Sequence, residues 1–229
     1  LNALDSALTT SEARQREFLL SVSHEFRTPL TAVKGYSEAI SDGILEGSQA
    51  VDAARLISSE SARLDRLVSD LLDLAKLGAV DFTISAVAID LNDFASEVCQ
   101  VWGYRCQDLQ VNCTCEILVH GEFVGDPIRL RQIVDNLAEN ALRLSPSGST
   151  LAIRIEQLAN SVVIEVRDSG PGLSADDQEV AFQPGALYER YRGVRPVGTG
   201  IGLALVGRLA QRMGGTALGE PIQLAPNGH

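Results

Sequence analysis

The stretch Ser41-Asp-Gly-Ile-Leu-Glu-Gly-Ser48 interrupts two long helical patterns, and its reading decides the N-terminal fold. Two glycines within eight residues break a helix, because glycine gives up the most conformational freedom when ordered. Upstream, Leu4, Leu8, Leu19, Val22, Phe26, Val33 and Ile40 recur at helical spacing. Downstream, Leu56, Leu64, Leu67, Leu71 and Leu74 keep the same three-four rhythm, with Glu60 as one polar interruption. The two runs predict long helices folded into an antiparallel hairpin. A single hairpin with a narrow apolar stripe has little core of its own. Two hairpins together close a four-helix bundle, so the pattern predicts a homodimer.

Beyond about residue 77 the period changes. Phe82 to Ile89, Val111 to Val119, Thr150 to Gln157 and Ser161 to Arg167 read as strands. Helical patterns run from Leu91 to Leu109, Asp126 to Leu144 and Gly202 to Met213. Interleaved strands and helices predict an α/β layer, making the whole chain α+β. The expected division is 1–77 and 78–229. Residues 173–197 carry no sustained period and are rich in Gly, Pro, Arg and Tyr, the texture of a functional lid.

The bulk numbers exclude several classes. The 229 residues are 45% hydrophobic and 21% charged, the profile of a globular protein. A net charge of −11 excludes a nucleic-acid partner, since phosphate backbones require basic surfaces. No apolar run approaches a membrane span, so no direct membrane contact is expected of these residues. The chain starts at Leu1 and its one methionine is Met213, which predicts a piece of a longer protein. The ending Asn227-Gly228-His229 reads as a turn with a final strand missing after it. Cys99, Cys106, Cys113 and Cys115 lie close in sequence, with His120 nearby. Their spacing matches no zinc pattern, and Cys113-Thr-Cys115 places two thiols on one strand face. Reduced structural thiols are expected, with a metal or redox site as the alternative.

His24 stands in Ser21-Val-Ser-His24-Glu25-Phe-Arg27-Thr28-Pro29-Leu30. Alone, a helical histidine is usually a surface or packing residue. Its neighbours are unusual: Thr28 is one turn on along the same face, and Pro29 removes a backbone donor within the helix, at a cost of about 3 kcal/mol. A neutral imidazole is a competent nucleophile toward phosphorus. A carboxylate on its second nitrogen would fix the tautomer, and Glu25 is the nearest candidate, although adjacent helical residues do not face each other.

Three further segments suit a nucleotide. In Arg131-Gln-Ile-Val-Asp135-Asn136-Leu-Ala-Glu139-Asn140-Ala-Leu-Arg143, helical spacing puts Asn136, Asn140 and Arg143 on one face. Amide and carboxylate oxygens bind Mg2+, which makes Asn136, Asn140 and Glu139 candidate metal ligands, and Arg143 can meet phosphate. Asp168-Ser-Gly170-Pro-Gly172 follows a strand; Asp168 can accept from an exocyclic amine while the glycines admit a flat ring. Gly198-Thr199-Gly200-Ile-Gly202 opens an apolar helix and offers backbone N–H groups to phosphate. It fits neither the Rossmann nor the Walker spacing.

Ser23-His24-Glu25-Phe-Arg-Thr28-Pro29-Leu30 resembles the phosphoacceptor motif of the two-component sensor histidine kinases. The later segments resemble the N, G1 and G2 boxes of the ATP-binding domain that these kinases share with gyrase, Hsp90 and MutL. The resemblance implies an α/β sandwich with helices on one face of a mixed sheet. It implies autophosphorylation of His24 from ATP with Mg2+, Glu25 as general base, transfer to an aspartate of a response regulator, and water positioning by Thr28 in a phosphatase reaction. Asn136, Asn140, Glu139 and Arg143 would serve metal and phosphate, Asp168, Gly170 and Gly172 adenine, and Gly198, Thr199, Gly200 and Gly202 the phosphates. Leu1-Asn-Ala-Leu-Asp5 resembles the exit of a HAMP linker, with residues 1–15 as its end, implying a membrane-anchored parent with this part on the cytoplasmic side. The sequence departs from the family at Leu144, where an aromatic or His is usual, and at Phe182, which lacks the customary second Phe. An ATP-driven clamp of the gyrase or MutL type, or a scaffold with a lapsed kinase site, are the competing readings.

Overall fold

The long helices form as the heptad-like spacing requires. In the computed structural model, which describes residues 2–77, 83–159, 161–191 and 200–219, α1 spans Asn2–Ser41 and α2 spans Gly47–Leu77. Gly43 and Gly47 both take positive φ in the connection, where Ile44 N–H donates back to the Ala39 carbonyl. The two helices pack antiparallel along their length. Helix α1 runs through Pro29, which is buried. Much of the hairpin's apolar surface stays uncovered: Leu30, Ile44, Val51 and Leu56 are all exposed.

The remainder builds an α/β layer. Its elements are β1 (Val87–Asp90), α3 (Leu91–Asp108), β2 (Asn112–Leu118), β3 (Glu122–Gly125), α4 (Pro127–Leu144), β4 (Thr150–Leu158), β5 (Ser161–Arg167), α5 (Ala175–Val180), α6 (Ala186–Tyr191) and α7 (Ile201–Arg212). Strand β4 lies between β2, its parallel partner, and β5, its antiparallel partner, giving the expected mixed sheet. Strands β1 and β3 form a separate antiparallel ribbon. Leu151, Ile153 and Ile155 alternate along β4 and are buried against α3 and α4, with Val98, Trp102, Cys106 and Val134. Each such aliphatic side chain contributes about 1.5–3 kcal/mol on burial. Caps fix the helix starts: the side chain of Asp90 accepts from Asn92 and Asp93 N–H, and that of Asp126 from Ile128 and Arg129 N–H, just ahead of Pro127.

Three sequence expectations need correction. The first strand begins at Val87, since residues 83–86 are not in a strand and Phe82 lies outside the described residues. Strand β3 is an addition to the expected elements, because four residues with two apolar side chains carry no measurable period. The stretch that reads as an unpatterned lid contains two short helices. Helix α5 is set by a capping box in which Ser174 and Asp177 satisfy each other's backbone N–H. Residues 192–199 and 220–229 lie outside the described residues, and with them the expected final turn.

The hairpin and the layer share two apolar clusters. Leu77 joins Ile133, Leu205, Val206 and Leu209. Val22 and Leu74 join Ile201 and Ala204, with Phe18, Phe26 and Leu71 alongside. Helix α7 therefore packs against both α2 and α4.

Candidate nucleotide and phosphoacceptor site

His24 sits in the middle of α1 and is partly exposed, so its ring is not lost inside the hairpin. Thr28 lies one turn on, and its hydroxyl donates to the His24 carbonyl at 3.4 Å. The expected contact between Glu25 and the imidazole is not what is formed. Consecutive helical positions diverge by about 100°, and the Glu25 carboxylate instead accepts from Arg63 Nη2 of α2 at 3.0 Å.

Helix α4 is the spine of the second half. At its middle, Asn136 meets the start of α7: a Cβ on Gly202 would stand 2.7 Å from Asn136 Oδ1, closer than real side chains approach. The Asn136 amide is oriented by donating to the Gln132 carbonyl at 2.9 Å. At its C-terminal end, a Cβ on Gly170 would lie 2.6 Å from Asp168 Oδ1 and 3.2 Å from the Leu144 carbonyl. Asp168 Oδ1 accepts from Gly170 N–H at 2.7 Å, which pins the carboxylate at the head of its loop. Gly172 follows in the same loop, two residues before the Ser174 cap. One helix thus touches both glycine segments, and a side chain at either glycine would force a neighbour to shift.

The oxygen donors on α4 are paired with arginines. Asn140 Oδ1 accepts from Arg143 Nη2 at 2.8 Å. Glu139 accepts from Arg66 of α2 and lies 3.8 Å from Arg105 of α3. Partial desolvation lowers the pKa of Arg143, the Glu25 and Glu139 carboxylates act the other way, and Arg63 adds to the lowering. Arg143 thus feels the charge of Glu25, the residue that follows His24. The donor set, an amide and a carboxylate oxygen within one helical turn, fits Mg2+.

Helix α7 is preceded by Gly200, its N-cap, which takes φ 68° and lies close against the Gly185 backbone. Gly185 in turn lies against the Phe18 backbone, where a Cβ would come within 3.3 Å of Phe18 Cα. Gly185 and the following helix α6 are consequently seated on α1. Within it Asp177, fully buried, accepts from Arg190 and Tyr191. Hydrogen bonds from Ser174 and Tyr191, with Arg190, hold its carboxyl down at about 2 against the opposing effect of burial. Gly198 and Thr199 lie outside the described residues. One cavity opens on the sheet face beside Thr114, Arg154 and Glu165, and another beside Leu77 and Arg208. Neither is lined by Asn136, Asn140 or Asp168.

Several residues that shape the site escape sequence reasoning. Arg63, Arg66, Asp73, Arg129 and Asp177 all act through partners distant in the chain or across helices. Asp73 accepts from Arg129 at 3.0 Å and from Gln132 at 2.8 Å, joining α2 to α4. Only the Ser174–Asp177 spacing carries a local signal, that of a capping box. The expectation of four reduced thiols is also corrected: Cys99 of α3 and Cys115 of β2 form a disulfide, while Cys106 and Cys113 are free. Helix α3 runs back along β2, which brings the pair together as spacing alone could not show. Among the described residues no cluster of three or more His, Cys, Asp or Glu is placed to hold a metal ion, so the metal alternative for the cysteines finds no support.

Residues 14–80 match the model of the His Kinase A (phospho-acceptor) domain. Residues 125–222 match the histidine kinase-, DNA gyrase B-, and HSP90-like ATPase family. The sensor histidine kinase ZraS of Escherichia coli O157:H7 is 30% identical over 218 residues, covering 91% of this chain and 45% of ZraS. The chain therefore spans less than half the length of that relative. Full-length ShkA, solved in complex with AMPPNP, superposes with a TM-score of 0.60 at 28% identity, over 90% of this chain and 43% of ShkA. Histidine kinase ThkA, solved in complex with the response regulator protein TrrA, shares the fold with a TM-score of 0.64 at 19% identity, over 97% of this chain and 60% of ThkA.

Proposed function

The chain belongs to the sensor histidine kinases of two-component systems, and from that premise we propose that it transfers the γ-phosphoryl group of ATP to His24 and passes it to an aspartate of a response regulator. The observation that carries this reading is the placement of α4, which touches both glycine segments, through Asn136 at Gly202 and Leu144 at Gly170. ATP is supported as the ligand by the AMPPNP complex of ShkA. A response regulator is supported as the partner by the complex of ThkA with TrrA, at the level of shared fold.

Residues 1–77 act as the dimerisation and phosphoacceptor unit and residues 78–229 as the nucleotide unit. The exposed Leu30, Ile44, Val51 and Leu56 supply the apolar stripe for a homodimeric four-helix bundle. Asp168 accepts from the adenine amine, and the glycines at 170, 172, 198, 200 and 202, with Thr199, let backbone approach the nucleotide. Asn136, Glu139 and Asn140 would hold Mg2+, which would neutralise charge on the phosphate oxygens. Arg143 turns from Asn140 to phosphate. The neutral His24 nitrogen then attacks the γ-phosphorus in line, and Glu25, released from Arg63, stabilises the imidazolium that forms. In the reverse mode Thr28 orients a water against the phosphorylated regulator. The parent protein places this part on the cytoplasmic side of a membrane.

The test is incubation with Mg-ATP carrying a labelled γ-phosphate. Acid-labile label on the protein is expected. Steady ATP hydrolysis with no labelled protein would contradict the proposal in favour of a clamp-type ATPase.

A further inference from the structure

We propose that Cys99 and Cys115 form a reversible redox clamp between α3 and β2 that controls the setting of the nucleotide helix α4. The two Cα atoms are 6.0 Å apart across a 16-residue separation, within the span a disulfide bridges. Cys99 is partly exposed and Cys115 exposed, so small oxidants and reductants reach the bond. The neighbouring pair behaves differently. Cys106 is buried, and burial together with the adjacent Cys113 pushes its thiol up to about 12. Burial also raises Cys113, which is hydrogen-bonded to Cys106. Thiols held protonated are poor nucleophiles. The α3–β2 contact thus carries one accessible pair that can cycle and one inert pair that packs. In a reducing compartment an accessible disulfide is more often a sensor than a staple.

The clamp is wired to the site through α3. Trp102, one turn beyond Cys99, donates from Nε1 to Asp135 Oδ1 at 2.9 Å, immediately before Asn136. Arg105 stacks on the Trp102 ring at 4.9 Å and reaches Glu139. Releasing α3 from β2 loosens both contacts with α4. The oxidation balances with a hydroperoxide as oxidant. One thiolate of the pair takes an oxygen to become a sulfenic acid and the peroxide leaves as water or alcohol. The second thiol displaces the sulfenic hydroxyl as water and closes the S–S bond, so two electrons and two protons leave the pair. A dithiol reductant returns them through a mixed disulfide and departs oxidised.

The effect on nucleotide rests on the functional reading above; the clamp itself does not. The full chain is treated with hydrogen peroxide or dithiothreitol, trapped with iodoacetamide in denaturant and mapped by peptide mass. A peptide linking Cys99 to Cys115 is expected after peroxide, both cysteines alkylated after dithiothreitol, and Cys106 and Cys113 alkylated in both. AMPPNP titration should give about fivefold weaker binding in the reduced chain, the scale of an ordinary coupling between sites. That difference should vanish in Cys99→Ser and Cys115→Ser. Absence of the linked peptide, links that involve Cys106 or Cys113 instead, or equal affinities in the two states would overturn the proposal. A chain that binds no nucleotide in either state overturns the functional reading, and the linked peptide alone then decides the clamp.

Discussion

Arg66 of α2 holds both carboxylate oxygens of Glu139 on α4, at 3.1 and 3.2 Å. The pair ties a proposed metal ligand to the helical hairpin, so Glu139 must let go of Arg66 before it can serve Mg2+. Both side chains are 52% exposed, and such a pair is worth about 0.2–1 kcal/mol. Arg66→Ala should therefore raise the autophosphorylation rate modestly, by up to about fivefold. Glu139→Ala should nearly abolish it. An Arg66→Ala rate below that of the parent chain would show that the pair supports catalysis instead of restraining it.

The same interface should respond to pH. Asp70 of α2 is raised from 3.8 to about 6, first by burial against the α/β layer, with Asp73 and Glu139 adding to the rise and Gln132 and Arg66 opposing it. The raised value means that the packed interface favours the protonated acid. Packing is unpenalised below about pH 4, weakens as pH rises toward 6 while the unfolded chain ionises first, and changes no further above that. Melting temperatures of the parent chain should fall from pH 4 to 6 relative to those of Asp70→Asn. Parallel curves for the two proteins would contradict the assignment.

Much of the fold is legible without coordinates. The hairpin follows from two leucine rhythms parted by Gly43 and Gly47, and α4 follows from its Asp126-Pro127 start and apolar face. Strand β3 is not legible, because Phe123 and Val124 are too few to show a period. The site is legible as residue types but not as pairings. Adjacency assigns Glu25 to His24, yet helical geometry turns it toward Arg63, 38 residues away. The arginines that meet Glu139, from α2 and α3, and the disulfide of Cys99 with Cys115, depend on which elements lie together, a tertiary fact with no local signature.

Gly202 tests the nucleotide site by sterics. A Cβ there would stand 2.7 Å from Asn136 Oδ1, and Asn136 is anchored to the Gln132 carbonyl. Gly202→Ala must displace the amide or the start of α7. ATP affinity should drop about tenfold or more, a loss of about 1.4 kcal/mol. Unchanged affinity by titration would remove Asn136 and Gly202 from the nucleotide cradle.

Thr28 tests the two activities proposed at one histidine. Its hydroxyl lies a helical turn from His24 and donates only a long bond to the backbone, so its removal costs the helix little. Thr28→Ala should autophosphorylate at close to the parent rate and lose most of its regulator-directed phosphatase activity. Equal rates of dephosphorylation of a phosphorylated response regulator by both proteins would discard the water-positioning role.

The central claim is that His24 receives the phosphoryl group, and the most direct measurement maps the label. After reaction with Mg-ATP, the acid-labile phosphate should reside on the peptide containing His24. His24→Gln should carry none while still binding ATP. Label that survives in His24→Gln, or that maps to any other residue, would contradict the account.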